Sequence, residues 1–148
     1  MEIEFYPMPS FPMLAVRDLA ASAGRYQQVL GFQLVFEMPG PSGAPVLIHL
    51  RWAKYADLLL VSDISQSSAP KGVGVTLTFA MSQDSVDNYA ADIVSKGASI
   101  ISGPVDQPWN AREVTLLEPD GYRLTFTQPI DKQMSVEEVV DNVKQSSV

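Results

Sequence analysis

His49 is the single histidine of the chain, and it lies in the alternating string VLIHLRW. If this string is a strand, Ile48 and Leu50 face one side, while His49 and Arg51 face the other with Leu47. A histidine on the polar side could contact a ligand or act as a general base, or it could be a strand residue without a chemical role. No cysteine is present, which excludes disulfides, thiolate metal sites and cysteine nucleophiles.

Polar residues in other alternating strings are further candidates for ligand contacts, and these are Glu37, Asp57, Glu113 and Thr115. Glu113 and Thr115 are expected on one face, Asp57 begins a strand, and Glu37 alternates with apolar neighbours and is expected to face inward. Acidic groups in an apolar cleft would attract a cation, although each could equally be a solvated surface charge. Three arginines could neutralise them: Arg51, Arg112 and Arg123.

Two tryptophans and a tyrosine are the aromatic candidates. Trp109 follows Pro108 in a loop before an alternating strand, Trp52 lies in the string RWAKY, and Tyr55 lies close by. Flat aromatic ligands stack on indole rings, and cations bind over their faces. The alternative is that each tryptophan fills a core or dimer contact.

The composition narrows the class of protein. The 148 residues suffice for one ordinary domain, and no apolar run approaches the length needed to span a bilayer. The net charge of −7 argues against a nucleic-acid partner, because phosphate binding needs clustered lysine and arginine. The first residues do not resemble a secretory signal, and together with the lack of cysteine this predicts a cytoplasmic protein that does not bind membranes.

The sequence contains two similar units, and corresponding residues of the two units lie about 66 positions apart. One amphipathic helical stretch begins at Asp18 and stops at Gly31, and a second begins at Asp84 and stops at Gly97. Each half predicts strand, helix and three strands, over about 11–62 and 74–128, joined by the polar linker 62–72. We expect one domain over 1–130 and a helical tail over 131–148, in which Ser135 and Glu138 could form a capping box.

Two strings in this pattern resemble the vicinal oxygen chelate superfamily of glyoxalases, bleomycin-resistance proteins and ring-cleaving dioxygenases. They are PMLAVRDLAASAGRYQQVLGFQLVFEMP, similar to its opening module, and EPDGYRLTF, similar to its closing hairpin. The segment DQPWNAREVTLLEPDGYRLTFTQP is most similar to the drug-binding bleomycin-resistance branch. The resemblance implies an α+β fold, with two tandem βαβββ modules whose sheets curl around a cleft, and a homodimer. The proline-containing first residues could be an arm that crosses to the partner.

The superfamily's enzymes hold a divalent metal with histidine and glutamate, and the resemblance places those positions at Phe11, Leu59, Thr76 and Thr125. No histidine, aspartate or glutamate occurs within 9–16, 58–61, 75–81 or 122–127. Zinc and related ions need several nitrogen or carboxylate ligands. We therefore expect no metal, no cofactor and no catalytic residues.

The function expected from these observations is sequestration of a small aromatic antibiotic or natural product, cationic or neutral, by a metal-free protein. Trp109 and Trp52 would stack on the ligand. Tyr55 lies close by, His49, Glu113 and Thr115 would contact it, and Glu37 and Asp57 would add negative potential. Two alternatives stay open: a metal-dependent glyoxalase- or dioxygenase-type enzyme, and a non-catalytic domain that binds a metabolite or another protein.

Overall fold

A computed structural model describes residues 2–81 and 83–146, so residues 1 and 82 of the predicted domain and residues 147–148 of the predicted tail lie outside the described residues. The chain divides between Ala69 and Pro70 into two compact units, each with one four-stranded sheet. Unit 1 and unit 2 each repeat the order strand, helix and three strands. The α+β class with two βαβββ modules is therefore confirmed.

In both units the first strand pairs in parallel with the fourth, and the remaining pairs are antiparallel. The sheet order is β1-β4-β3-β2 in unit 1 and β5-β8-β7-β6 in unit 2, so neither sheet closes on itself. The elements of unit 1 are β1 (Met13–Val16), α1 (Leu19–Gln28), β2 (Gln33–Pro39), β3 (Pro45–Ala53) and β4 (Ala56–Ser62). Those of unit 2 are β5 (Thr76–Ala80), α2 (Val86–Ser95), β6 (Ile100–Gln107), β7 (Ala111–Leu117), β8 (Arg123–Pro129) and α3 (Val136–Gln145).

One face of each sheet is apolar and packs against the helix of its own unit. In unit 1 this helix face is formed by alternating residues of β3 and β4, which are at most 2 % exposed: Ile48, Leu50, Leu58 and Leu60. In unit 2 the corresponding buried residues are Phe79, Val114, Leu116, Leu124 and Phe126. Because successive side chains of a strand point to opposite faces, the intervening side chains lie on the other face, which we call the open face of each sheet.

The helices bury the side that their periodicity predicts. In α2, the i, i+3, i+4 pattern is formed by Val86, Tyr89, Ala90 and Ile93, which are buried, and by Val94, which is 52 % exposed. The apolar stripe is therefore narrower than the sequence suggests. Asp18 caps α1 by accepting from the backbone N–H of Ala21, and Ser85 rather than Asp84 caps α2.

Gly31 and Gly97 follow these helices with φ of 83° and 97°. A side chain is strained in this left-handed region, which explains why glycine ends both helical stretches.

The 66-residue spacing holds for the third and fourth strands but changes at the first. His49 pairs with Leu59 in unit 1, and Thr115 pairs with Thr125 in unit 2. On the first strands, however, Leu59 lies opposite Met13 and Thr125 lies opposite Thr78. The repeat offset there is therefore 65, and the first-strand neighbours of Leu59 and Thr125 are Met13 and Thr78.

The tail forms α3, whose N-cap Ser135 accepts from the backbone N–H of Glu138. None of its described residues is buried, and Val136, Val140 and Val143 are exposed. The side-chain nitrogen of Asn142 in α3 donates to the backbone carbonyl of Pro108 at 2.7 Å, and this hydrogen bond connects the helix to the β6–β7 turn. No helix in the described part of the chain is long and apolar enough to cross a membrane.

Glu118 is a buried carboxyl at the turn between β7 and β8. Its Oε1 accepts from the backbone N–H of Tyr122 at 3.0 Å, its side chain is 2 % exposed, and its Oε2 has no hydrogen-bond partner among the described residues. Burial raises the pKa of Glu118, and the nearby charge of Asp120 adds to this effect. The folded state therefore holds the Glu118 proton to higher pH than the unfolded chain does.

A Glu118→Gln variant is expected to lose less stability than the wild type as the pH rises from about 4 towards 7. In the wild type, the extra proton bound by the folded state stabilises it at low pH, and this contribution disappears as the pH rises through the raised pKa of Glu118. Urea unfolding at several pH values measures the difference, with exposed Glu2→Gln as the control. Parallel curves for the wild type and Glu118→Gln would contradict the assignment.

Candidate functional site

A polar cluster lies on the open face of unit 1, centred on the buried carboxylate of Asp57. Tyr6 donates its hydroxyl to Asp57 Oδ1 at 2.5 Å. His49 Nε2 and Arg51 Nε contact Asp57 Oδ2 at 2.7 and 2.9 Å. Because an ionised carboxylate only accepts hydrogen bonds, His49 carries its proton on Nε2. Both carboxylate oxygens of Asp57 accept hydrogen bonds within this cluster.

The register of β3 and β4 explains this meeting. Arg51 lies directly opposite Asp57, and His49 lies opposite Leu59 on the same face. Paired residues of antiparallel strands share a face, and their diagonal neighbours stay within reach of long side chains. The sequence prediction that His49 and Arg51 face away from Ile48 and Leu50 is therefore correct.

The N-terminal arm, residues 2–12, supplies the remaining partners. Arg51 donates to the carbonyl of Glu4 at 2.7 Å, and its guanidinium carbon lies 4.3 Å from the centre of the Tyr6 ring. The backbone N–H of Tyr55 donates to the Tyr6 hydroxyl at 2.8 Å, and the two tyrosine rings are 4.8 Å apart. The arm thus packs on its own unit, while its exchange between subunits stays a prediction.

The polar cluster around Asp57 serves as a structural contact and not as a nucleophilic site. Arg51 is only 8 % exposed and its charge offsets that of Asp57, so the predicted negative potential of Asp57 is largely neutralised. Loss of hydration, followed by the hydrogen bond to Asp57, raises the pKa of Tyr6. Tyr6 therefore stays a hydroxyl donor at neutral pH and holds the arm on the sheet.

The open face of unit 2 is polar and lined by hydroxyl groups. Its residues come from alternating positions of three strands: Thr76, Thr78, Glu113, Thr115, Arg123, Thr125 and Thr127. Thr115 Oγ1 and Thr125 Oγ1 lie 2.7 Å apart and share a hydrogen bond. Glu113 makes no hydrogen bond or ion pair with any described residue, and it lies between Val105 and Thr127 in the sheet. This face therefore offers hydroxyls and an unpaired carboxylate.

Trp109 lies at the tip of the β6–β7 hairpin and is 43 % exposed. Because β6 ends at Gln107 and β7 begins at Ala111, the expected loop is a tight turn over 108–110. Asn110 holds this turn with φ of 64°. Its side-chain oxygen accepts from the backbone N–H of Asp131 at 2.9 Å, and its side-chain nitrogen donates to the Asp131 carbonyl at 2.7 Å. Trp109 therefore projects from a rigid turn.

Neither Trp52, expected to stack on the ligand, nor Glu37, expected to face inward, lies on the open face of unit 1. Trp52 follows Ile48 and Leu50 in the alternation and packs on Phe32, with ring centres 5.5 Å apart, so it lies on the helix face. Glu37 pairs with Ile48 because an irregularity between Leu34 and Phe36 shifts the register of β2. Glu37 is therefore on the face opposite to His49, and Phe36 takes the expected inward position.

The three arginines that could neutralise the acidic residues lie in different environments. Arg51 pairs with Asp57, as described above. Arg112 bridges Asp87 and Asp106 at 2.9 and 2.8 Å, on the helix side of unit 2, so it does not neutralise Glu113. Arg123 makes no ion pair with any described residue. Sequence reasoning missed Tyr6 altogether, because nothing local in the proline-containing arm indicates that its hydroxyl reaches Asp57.

The residues at the superfamily's metal positions do not fit a metal ion. Leu59 has no donor atom and is buried, and Thr125 is 6 % exposed with its hydroxyl bonded to Thr115. Within residues 2–81 and 83–146, no three histidine, aspartate or glutamate side chains come close enough to hold a metal. No step is therefore assigned to a metal here.

Comparisons with known proteins place this architecture. A 134-residue stretch is 25 % identical to an uncharacterized protein of Mycobacterium bovis, and it covers 86 % of this chain and 87 % of the relative. TnmS3, an antibiotic binding protein from Streptomyces sp. CB03234, is 25 % identical with a TM-score of 0.63, covering 87 % of this chain and 98 % of that one. A glyoxalase/bleomycin resistance protein from the same organism is also 25 % identical, with a TM-score of 0.61 over 80 % of this chain and 97 % of that one.

TioX from Micromonospora sp. ML1 has the same fold, with 20 % identity and a TM-score of 0.64 over 80 % of this chain and 96 % of that one. The family model described as Glyoxalase/Bleomycin resistance protein/Dioxygenase superfamily matches residues 10–126. This match spans both βαβββ modules, from the end of the arm to the last strand. The chain belongs to the glyoxalase/bleomycin resistance protein/dioxygenase superfamily.

Proposed function

We propose that this protein binds and sequesters a small aromatic antibiotic or natural product without a metal and without chemical turnover. The observation that carries the proposal is the open face of unit 2, where the exposed hydroxyls of Thr76 and Thr78 lie on the same face as the half-buried, unpaired carboxylate of Glu113. A few polar groups of this kind fix the orientation of a ligand that is otherwise held by apolar burial. A positive charge on the ligand would complement Glu113 and the net charge of −7.

Four further observations support the proposal. The metal positions carry no histidine, aspartate or glutamate, and the polar cluster around Asp57 has its hydrogen-bonding groups engaged with one another. Trp109 is half exposed on a rigid turn, where an indole can stack on a flat ligand with little loss of side-chain entropy. TnmS3, which has the same fold, is described as an antibiotic binding protein.

Titration of the protein with a panel of aromatic antibiotics tests this function, with tryptophan fluorescence as the readout. The panel includes metal-free bleomycin and a cationic intercalator. A Trp52→Phe variant leaves Trp109 as the single indole, so the signal then reports the β6–β7 turn. We expect a saturable change with at least one compound. The absence of any saturable change across the panel would overturn the proposal.

We also propose that the protein is a homodimer. Unit 1 exposes apolar side chains at both edges of its open face, with Met13 56 %, Phe36 43 % and Met38 46 % exposed. Exposed apolar side chains on a sheet face are typical of interaction surfaces. Light scattering on a size-exclusion column is expected to give twice the chain mass of 16.2 kDa. The mass of a single chain at micromolar concentration would contradict a stable dimer.

A further inference from the structure

A cavity of about 440 Å³ opens at one end of the open face of unit 2. Its floor is formed where β5 and β8 begin and β7 ends, and the segment 70–75 makes its wall. The side chains at its rim are Val73, Val75, Thr76, Leu117 and Arg123. This volume lies in the range of small-molecule sites, about 300–1,000 Å³.

The wall of the cavity is held in place by close packing. The backbone N–H of Lys71 donates to the carbonyl of Asp120 at 2.8 Å, and that of Val75 donates to the carbonyl of Gly72 at 2.9 Å. A Cβ added at Gly72 would lie 2.5 Å from the Tyr122 ring, and one at Gly121 would lie 2.8 Å from the nitrogen of Lys71. The two loops therefore meet at distances that only glycine permits, and the cavity is formed before a ligand arrives.

The lining combines one free positive charge with apolar surface. Arg123 is exposed and makes no hydrogen bond or ion pair with any described residue. Around it, Val73 is 82 %, Val75 53 % and Leu117 40 % exposed. Apolar side chains of this size are costly to leave in water, and a guanidinium is the side chain best shaped to bind a planar carboxylate through two parallel hydrogen bonds.

We propose that this cavity binds the carboxylate end of an aromatic ligand, with the carboxylate on Arg123 and the ring against Val73, Val75 and Leu117. The Thr76 hydroxyl lies beside Arg123 in the sheet register and supplies a further donor. The inference rests on the proposed function, in which the open face binds a small molecule, and it adds the chemical class of the group bound at this end. The ligand group bound at this cavity is negatively charged, whereas the acidic composition of the chain favours a positively charged ligand.

Calorimetric titration with three matched probes tests the inference: 2-naphthoate, the neutral 2-naphthamide and the cationic 2-naphthylmethylamine. We expect 2-naphthoate to bind the wild type about tenfold more tightly than 2-naphthamide, since a hydrogen bond to a charged group is worth roughly that much. Arg123→Gln is expected to remove this preference and to leave 2-naphthamide binding unchanged. Arg25→Gln is the control, because Arg25 lies in α1 of unit 1 and also makes no ion pair with any described residue.

Amide chemical shifts locate the bound probe. We expect 2-naphthoate to shift the backbone signals of Val75, Thr76 and Arg123, and to shift them far less in Arg123→Gln. Equal affinity for all three probes, or an unchanged preference in Arg123→Gln, would overturn the carboxylate site while leaving small-molecule binding by the protein intact. Failure of the antibiotic panel together with selective binding of 2-naphthoate would instead overturn the sequestration function and retain this site.

Discussion

An Asp57→Ala variant is expected to lose about 3–5 kcal/mol of its free energy of unfolding. The substitution would leave the guanidinium of Arg51, which is only 8 % exposed, without its counterion, and His49 Nε2 without its acceptor. The hydroxyl of Tyr6 would also lose its acceptor, so the N-terminal arm should loosen. Urea unfolding followed by circular dichroism measures the loss of stability, and proteolysis within residues 2–12 measures the release of the arm.

Two further variants separate this effect from a general loss of charge. Asp57→Asn keeps an oxygen acceptor and the side-chain shape, and is expected to lose less stability than Asp57→Ala. Asp92→Ala breaks a helix-surface pair with Lys96 in which both side chains are about half exposed, and is expected to change stability little. If Asp57→Ala were as stable as Asp92→Ala, the cluster would not hold the arm on unit 1.

A Trp109→Ala variant is expected to weaken binding of an aromatic ligand by about 1–3 kcal/mol, the range measured when an aromatic side chain that stacks on a flat ring system is removed. The loss should appear mainly in the dissociation rate, because the contact forms only in the bound complex. Competition against a labelled compound identified by the titration measures it without relying on indole fluorescence.

The folded state should tolerate this change, because Trp109 is 43 % exposed and its turn is held by Asn110 and Asp131. An unchanged thermal midpoint for Trp109→Ala is therefore the first control. The second is Trp52→Phe, which alters an indole on the helix face of unit 1 and should leave affinity unchanged. Equal affinity of Trp109→Ala and the wild type would show that the turn does not contact the ligand.

The repeated architecture could be predicted from the sequence because alternation and helix periodicity are local signals. Ile48 and Leu50 are at most 2 % exposed, while His49 and Arg51 lie on the opposite face, as two-residue periodicity requires. Gly31, placed after a helical stretch, has the left-handed conformation expected of a helix end. Each of these inferences needs only a few neighbouring residues.

Features that depend on a single inserted residue or on distant contacts could not be predicted. The irregularity in β2 shifts the alternation by one position, and this alone moves Glu37 to the helix face. Trp52 was expected to stack on a ligand, but β3 runs to Ala53 and the indole contacts Phe32 instead. The Tyr6–Asp57 hydrogen bond joins residues 51 positions apart, and no local pattern encodes it.

The types of residue in the candidate site could be predicted from the sequence better than their positions relative to one another. Thr115 and Thr125 were expected on one face, and their hydroxyls are 2.7 Å apart. On the first strand of unit 2, Thr78 and not Thr76 lies beside Thr125. The cavity beside Arg123 depends on how the segment 70–75 packs on the β7–β8 turn, a tertiary contact that composition does not reveal.

Sequestration without a metal is tested most directly by equilibrium dialysis of protein treated with a chelator against metal-free bleomycin and a cationic intercalator. Mass spectrometry of the recovered compounds then reports whether they were altered. The account predicts saturable binding of at least one compound by the metal-free protein, with its mass unchanged on recovery. Conversion of a compound to a product that appears only after zinc, nickel or iron is added back, or no saturable binding to either form of the protein, would contradict it.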